Sequence, residues 1–471
     1  MTEATALTPE AAEGRRTLPR VLGLFDVGVL ASASMGPAYS LASTMGPMVA
    51  AAGANASLAL ALLGAVMLCV AISFGRLSDV MPDAGSSFSW SARAFGPAGG
   101  TYAAWLLLLS NYFATMTTAL PAATYTLALV APAHATEPLW DAIVGALWIV
   151  ASTALLYFGL RPTALVTALF LIGELLVLAV AAAAAYVVHP GAEHFAATAA
   201  VPLPAAGFGG IIAAMVLGIW MTDGWEVSAS ASEESTGPPD TSGRGGIIAL
   251  VVTTLILLGA MAAFLHVGSV AGFTAHQADA MSYVASRLGG PVWRVAIVVT
   301  VLVSTAATLW TTILYLSRSV YAMGRDGVLP SPIGVLDERG VPVNSLLVVF
   351  FCVGGFTLLT GFWPSANEIL NLVLNGTAVF LGALFCMSTL AAIKLLAKRP
   401  GEKPLQAYVI PGFAALALLA IVGVDIAESE TKTRTVELAG LALGIPFALW
   451  RGRRVHLAAI FAPAREPELE G

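Results

Sequence analysis

Runs of about 20 apolar residues, the length that crosses a hydrocarbon core about 30 Å thick, recur from one end of the chain to the other, separated by short polar segments. They fall at roughly 22–48, 56–76, 98–129, 139–160, 164–188, 208–232, 246–268, 293–323, 345–363, 367–392, 407–426 and 436–451. This pattern predicts an all-α polytopic membrane protein with twelve transmembrane helices. Two of the runs are interrupted. Span 1 breaks at Ser34-Met35-Gly36-Pro37-Ala38, where glycine permits unusual dihedrals and proline removes a donor. Span 6 breaks at Thr222-Asp223-Gly224, between Trp220 and Trp225.

The two breaks lie five spans apart, and spans 3 and 8, also five apart, are both about 30 residues long, which implies strong tilt. Repeats of five spans must insert with opposite topology. A five-plus-five inverted repeat is therefore expected, with its binding site at the two broken helices near the midplane. The expected organisation is a tail over 1–20, a transporter domain over 21–451 and a second tail over 452–471. Within the domain, repeat one covers about 22–188, repeat two about 208–392, and extra helices about 407–451.

An aspartate beside a glycine in the middle of a span costs roughly 2.5 to 3.5 kcal/mol unless it faces protein, water or a ligand. Interrupted helices at this depth are tolerated where the freed backbone lines a cavity. The candidate substrate-binding residues are accordingly Ser34, Met35, Gly36, Pro37, Ala38 and Tyr39 at the first break, and Trp220, Thr222, Asp223, Gly224 and Trp225 at the second. Asp223 reads either as a ligand for a substrate ammonium or as an N-cap of the second half-helix. The substrate-facing role is preferred, since Ser or Thr would cap without the cost of charge. Trp220, Trp225 and Tyr39 read as gates that stack on a cation, or as packing.

Composition narrows the class further. The chain has 471 residues, 58% hydrophobic and 11% charged, and a mean hydropathy of +0.84, which excludes a soluble globular protein. Its net charge of −6 carries no message about nucleic acid, and no such partner is expected; the partners are the lipid bilayer, a small molecule and an ion. With the N-terminus inside, all but Arg287, Arg294, Lys432 and Arg434 of the 22 basic residues fall on the cytoplasmic side. Both termini are then expected in the cytoplasm of a multi-pass cell-membrane protein. Cys69, Cys352 and Cys386 lie inside apolar runs, and the histidines, among them His189, His194 and His276, show no zinc spacing, so no disulfide, metal or cofactor is expected. No HExxH, GxSxG or phosphate-cradling lysine motif is present, which argues against an enzyme.

Three stretches resemble the amino acid permeases of the amino acid–polyamine–organocation (APC) superfamily. Residues 82–106 (PDAGSSFSWSARAFGPAGGTYAAWL) look like that family's loop and third-helix start, and residues 318–342 (RSVYAMGRDGVLPSPIGVLDERGVP) resemble its eighth helix end and following loop. Trp220 through Ser230 (WMTDGWEVSAS) resembles its sixth-helix break. The resemblance implies a LeuT-type fold and secondary active import of an amino acid or amine by alternating access, driven by protons, by sodium or by exchange. The chain departs from the family's Gly-Ser-Gly at the first break, which reads here Gly36-Pro37-Ala38. Pro37 has no N–H to hold a carboxylate, so amine capture gains over carboxylate capture. A transporter-like sensor is the alternative of a different class.

Coupling residues are expected in three places. Glu226 sits where a half-helix N-terminus favours negative charge, and the resemblance gives it a coupling role; its structural alternative is to anchor span 6 to span 1. Glu174 lies in mid-span with no basic residue within several turns and is the first candidate for a carried proton. Ser304, Thr305 and Thr308 in span 8 offer oxygens that, with span 1 carbonyls, suit a sodium cage. The expected driver is the proton, with sodium as its rival.

Overall fold

Apolar runs and their punctuation translate directly into helices. The computed structural model describes residues 18–135, 137–188, 208–277, 280–363 and 366–454, so most of both expected tails, along with His189 and His194, lies outside the described residues. Span 1 is two helices, α1 (Leu24–Met35) and α2 (Pro37–Ala52), followed by α3 (Ala56–Val80). Then come α4 (Ser87–Val130), α5 (Pro138–Tyr157) and α6 (Leu160–Val188). Span 6 is likewise split into α7 (Phe208–Met221) and the single turn α8 (Val227–Ser230), followed by α9 (Thr241–Val267). Two short helices, α10 (Val270–Ala275) and α11 (Ala280–Leu288), precede α12 (Pro291–Arg325), α13 (Val343–Thr360), α14 (Ala366–Leu396), α15 (Ile410–Glu428) and α16 (Thr431–Arg451). There is no strand among the described residues, only an isolated bridge between Leu22 and Ser235.

Nine helical runs among the described residues are long and apolar enough to cross a membrane. The first of them, Leu24–Val80, contains two of the expected spans, whereas α7 is a shorter apolar helix. Span 3 begins earlier than its apolar pattern suggests. Residues Ser87 to Phe95 are helical too, and the backbone leaves helical geometry at Gly96 (φ 82°) before the long run begins. The small polar residues of this stretch are buried, so tertiary packing and not hydropathy makes it helical.

The apolar helices divide their surface by period. On α6, Leu165, Leu169, Ile172, Leu176 and Val180 are exposed, the stripe that a lipid-facing helix presents at three- and four-residue spacing. Thr163, Thr167, Leu171, Glu174, Leu178 and Ala181 occupy the opposite, buried face. The half-helices pair crosswise, with α7 packed along α2 and α8 against α1, while α12 crosses α1, α2, α4 and α6.

The end that carries most of the arginines is closed by charge. Arg318 and Glu234, both buried, pair side by side with Nε–Oε2 and Nη2–Oε1 distances of 3.1 Å. Arg325 meets Asp83 at 2.8 Å, Glu233 at 2.8 Å and Asp326 at 3.0 Å. The Glu234 carbonyl also accepts the amides of Val21 (2.9 Å) and Leu22 (3.0 Å), which ties the segment before α1 to the segment after α8. Burial raises the Asp326 carboxyl to about 6 against the opposing pull of Arg325. Glu233 is raised by burial as well, again opposed by Arg325.

Candidate functional site

The first break is a single left-handed residue. Gly36 sits at φ 53° and ψ 68°, ending α1, and Pro37 opens α2 at the helix position where a missing N–H costs nothing. A Cβ on Gly36 would lie 2.2 Å from Thr308 Oγ1, so α12 approaches the break closely. Gly224 at the second break has φ 109°, and a Cβ there would lie 2.5 Å from the Ser34 carbonyl carbon and 2.8 Å from the Met35 nitrogen. The two breaks therefore touch backbone to backbone, and only glycine fits at the contact.

Between them lies a cavity of about 10 Å³, space for one water. Its walls are Ser34, Met35, Tyr39 and Ser40 from span 1, Trp220, Asp223, Gly224, Glu226 and Val227 from span 6, Asn111 from α4, and Thr308, Thr312 and Tyr315 from α12. Two carboxyl groups and no lysine or arginine line it. Glu226 Oε2 accepts the Gly224 amide at 2.9 Å, so it satisfies a backbone donor of the break itself, while no side chain caps the turn that follows. Asp223 Oδ1 is buried without a partner, and the Asp223 carboxyl faces that of Glu226. Two carboxylates this close repel unless a proton or another cation lies between them.

At the first break the amide donors are largely spoken for. Pro37 has none, and the Tyr39 amide donates to Ser304 Oγ at 3.2 Å. The Ala33 carbonyl receives the Gly36 amide at 3.1 Å and the Thr308 hydroxyl at 3.0 Å. Ser40 Oγ donates to the Met35 carbonyl at 2.6 Å.

The aromatic candidates separate. Tyr39 and Trp220 meet edge to face with ring centroids 6.3 Å apart, covering the cavity, and the Tyr39 hydroxyl donates to the Thr117 carbonyl. Trp225 points elsewhere. It packs against Phe74 (5.1 Å) and Phe385 (5.7 Å) in a buried aromatic cluster, which is the packing alternative for that residue. Gly36, Pro37, Ala38 and Thr222 shape the breaks without forming the wall; the Thr222 hydroxyl bonds back to the Gly218 carbonyl at 2.8 Å.

The structure brings Glu174 to the same region. Only 2% exposed, it faces Ser304, yet neither of its oxygens has a hydrogen-bond partner. Ser304 thus stands between the Glu174 carboxyl and the amide of Tyr39. Thr305 donates to the Val301 carbonyl at 2.6 Å. Asn111, Ser40, Thr312, Tyr315 and Val227 were not among the expected residues. Ser304, Thr308, Thr312 and Tyr315 follow one helical face at spacings of four, four and three, a polar stripe that the sequence displays once α12 is read for polar as well as apolar period.

Comparison with known proteins gives a consistent picture. A family model described as amino acid permease matches residues 22–434. The branched-chain amino acid permease BcaP of Bacillus subtilis (strain 168) is 26% identical over 430 residues, covering 87% of this chain and 88% of the relative. The protein of the same name from Lactococcus lactis subsp. cremoris is 25% identical over 384 residues, 75% of this chain and 77% of the relative. An uncharacterised transporter of Mycobacterium bovis is 29% identical over 376 residues, covering 78% and 81%.

Proposed function

The chain belongs to the amino acid permease family, within the APC superfamily, and is a multi-pass cell-membrane transporter, not an enzyme; from that premise we propose how it holds and drives its substrate. It is an importer that works by alternating access, with both termini in the cytoplasm. Twelve spans form a five-plus-five LeuT-type repeat over about 22–188 and 208–392, with the helices over about 407–451 appended. The crosswise pairing of α1–α2 with α7–α8 supports that arrangement.

The substrate is held by its ammonium group at Asp223. The observation that carries this reading is the unpartnered Asp223 Oδ1, buried at a cavity that holds a second carboxyl and no cationic side chain. The scarcity of amides at the first break, with Pro37 lacking one and the Tyr39 amide donating to Ser304, weakens any grip on a substrate carboxylate. The names of the Bacillus and Lactococcus relatives point to an aliphatic amino acid as the natural test compound. Competition binding with leucine, leucinamide and 4-methyl-2-oxopentanoate tests the idea. Leucinamide, which keeps the ammonium and loses the carboxylate, is expected to compete at least as well as leucine, and the oxo acid is expected to fail. Asp223→Asn should weaken both amines by tenfold or more; a silent Asp223→Asn, or tight binding of the oxo acid, rejects ammonium capture.

The proton is the driver we favour over sodium. Glu174 is buried and unpartnered against Ser304, which in turn accepts the Tyr39 amide of α2, so its charge state bears on the segment that moves with the first break. A sodium cage at Ser304, Thr305 and Thr308 would need span 1 carbonyls, and that of Ala33 already accepts the Gly36 amide, with the single Thr308 proton shared between it and the Ser304 carbonyl.

A further inference from the structure

The first turns of α4 form a helical segment of their own, Ser87 to Phe95, with a residue outside helical geometry at either end. Ser86 (φ 41°, ψ −114°) precedes it and Gly96 (φ 82°, ψ −178°) closes it. Ser86 is the one positive-φ residue other than glycine among the described residues. A serine in that conformation is strained and persists only where its surroundings hold it. It stands at the N-cap position, yet its hydroxyl caps nothing. Ser86, Ser87 and Ser91 are buried, and none of their hydroxyls has a partner. The same holds for Tyr315 and Ser319, one turn apart on α12, and the Tyr315 hydroxyl faces Ser86.

Five unpartnered hydroxyls on two helices packed together are unfavourable in a closed interior, and an arrangement in which they meet water relieves that cost. They lie between two features already placed. Tyr315 belongs to the wall of the central cavity, and Asp83, three residues before Ser86, meets Arg325 at 2.8 Å in the charged closure. The Ala84 amide adds a bond of 2.9 Å to Glu233 Oε1. The segments beside α1 and α8 are bonded to each other, the Thr236 amide donating to the Leu22 carbonyl at 2.8 Å, so neither swings alone. At Gly96 no heavy atom of another part of the fold lies within 4 Å of where a Cβ would stand, which leaves the backbone room to turn. We propose that Ser87 to Phe95 is the moving wall of the cytoplasmic exit. It turns about Ser86 and Gly96 once the Arg325 contacts release, relaxes the strained serine and carries the buried hydroxyls into water, which then reaches the central cavity along Tyr315. The inference rests on the alternating-access reading above and adds which element opens.

Labelling with a water-soluble, membrane-impermeant maleimide tests it, on Ser87→Cys and Ser319→Cys placed singly in the full-length protein with Cys69, Cys352 and Cys386 replaced by alanine. Both sites are expected to react slowly in this background and at least tenfold faster when Asp83→Asn unfastens the segment, whereas Leu107→Cys, deeper in α4, stays protected. Ser86→Gly, which removes the strain and keeps the turn, should slow labelling of Ser87→Cys at least threefold. Protection of both sites with Asp83→Asn present, equal labelling of Leu107→Cys, or no effect of Ser86→Gly overturns the proposal. Should Asp83→Asn fail to fold, hydrogen exchange of the wild type gives the second reading: amides from 87 to 95 exchange together and at least tenfold faster than those from 98 to 110, and equal rates overturn it. Amino acid uptake by the same proteins separates the two claims. Uptake with both cysteines protected throughout turnover keeps alternating access and overturns the moving wall, and a wild type that transports no amino acid overturns both.

Discussion

Gly224 carries a φ of 109° against the backbone of Ser34 and Met35, and this one contact holds the two breaks together. Gly224→Ala adds strain of order 1–3 kcal/mol and a carbon with no space to occupy. The expected outcome is a lower unfolding midpoint and a loss of substrate binding; unchanged binding in Gly224→Ala would show that the breaks need not touch. Asp223 was legible in the sequence because a charge inside an apolar run is conspicuous. Asn111 and Tyr315 were not, since a lone polar or aromatic residue in a long span looks like ordinary packing until the tilted helix brings it to the cavity wall. Trp225 looked like Trp220 in sequence, flanking the same break, and only the path of the chain through it sends one ring to the cavity and the other to the aromatic cluster.

At the scale of elements, the closure at the arginine-rich end depends on the segment that follows α8. Arg318 and Glu234 are 4% and 1% exposed, and removing one partner of a buried pair costs about 3–5 kcal/mol. Glu234→Ala is therefore expected to lower the unfolding midpoint and to expose Ser40→Cys to thiol reagents from that side, whereas a Glu234→Leu and Arg318→Met double variant recovers much of the stability. Equal stability of the single and double variants would show that the pair is not what closes this end. The neighbouring cluster adds a pH dependence. Burial lifts the Asp326 carboxyl from its ordinary 3.8 to about 6, so the folded protein holds this proton more tightly than the unfolded chain. Its contribution to stability is then present at low pH and lost as pH rises across that window. Thermal unfolding should show a higher midpoint at pH 5 than at pH 7 from this group, and Asp326→Asn should flatten the difference; a pH profile unchanged by Asp326→Asn would contradict it. None of this network was visible in the sequence, because it joins residues from four separate segments.

For the whole molecule, hydropathy and punctuation made the fold class readable: apolar runs of membrane length give the spans, and Gly36-Pro37 and Asp223-Gly224 mark where two of them break. The helix over Ser87 to Phe95 and the short α10 and α11 escaped the pattern, since their sequences are too short and too mixed in polarity to declare a period. In the proposed mechanism an amino acid is taken up through the touching breaks, with its ammonium at Asp223 and a proton at Glu174. Uptake of labelled leucine into proteoliposomes under an imposed pH gradient without sodium tests it most directly, using wild type, Asp223→Asn and Glu174→Gln. The account predicts accumulation by the wild type that collapses with the gradient, loss of tenfold or more in Asp223→Asn, and uptake by Glu174→Gln that no longer responds to the gradient. Wild-type uptake that requires sodium and ignores the gradient, or full activity in Asp223→Asn, would contradict it.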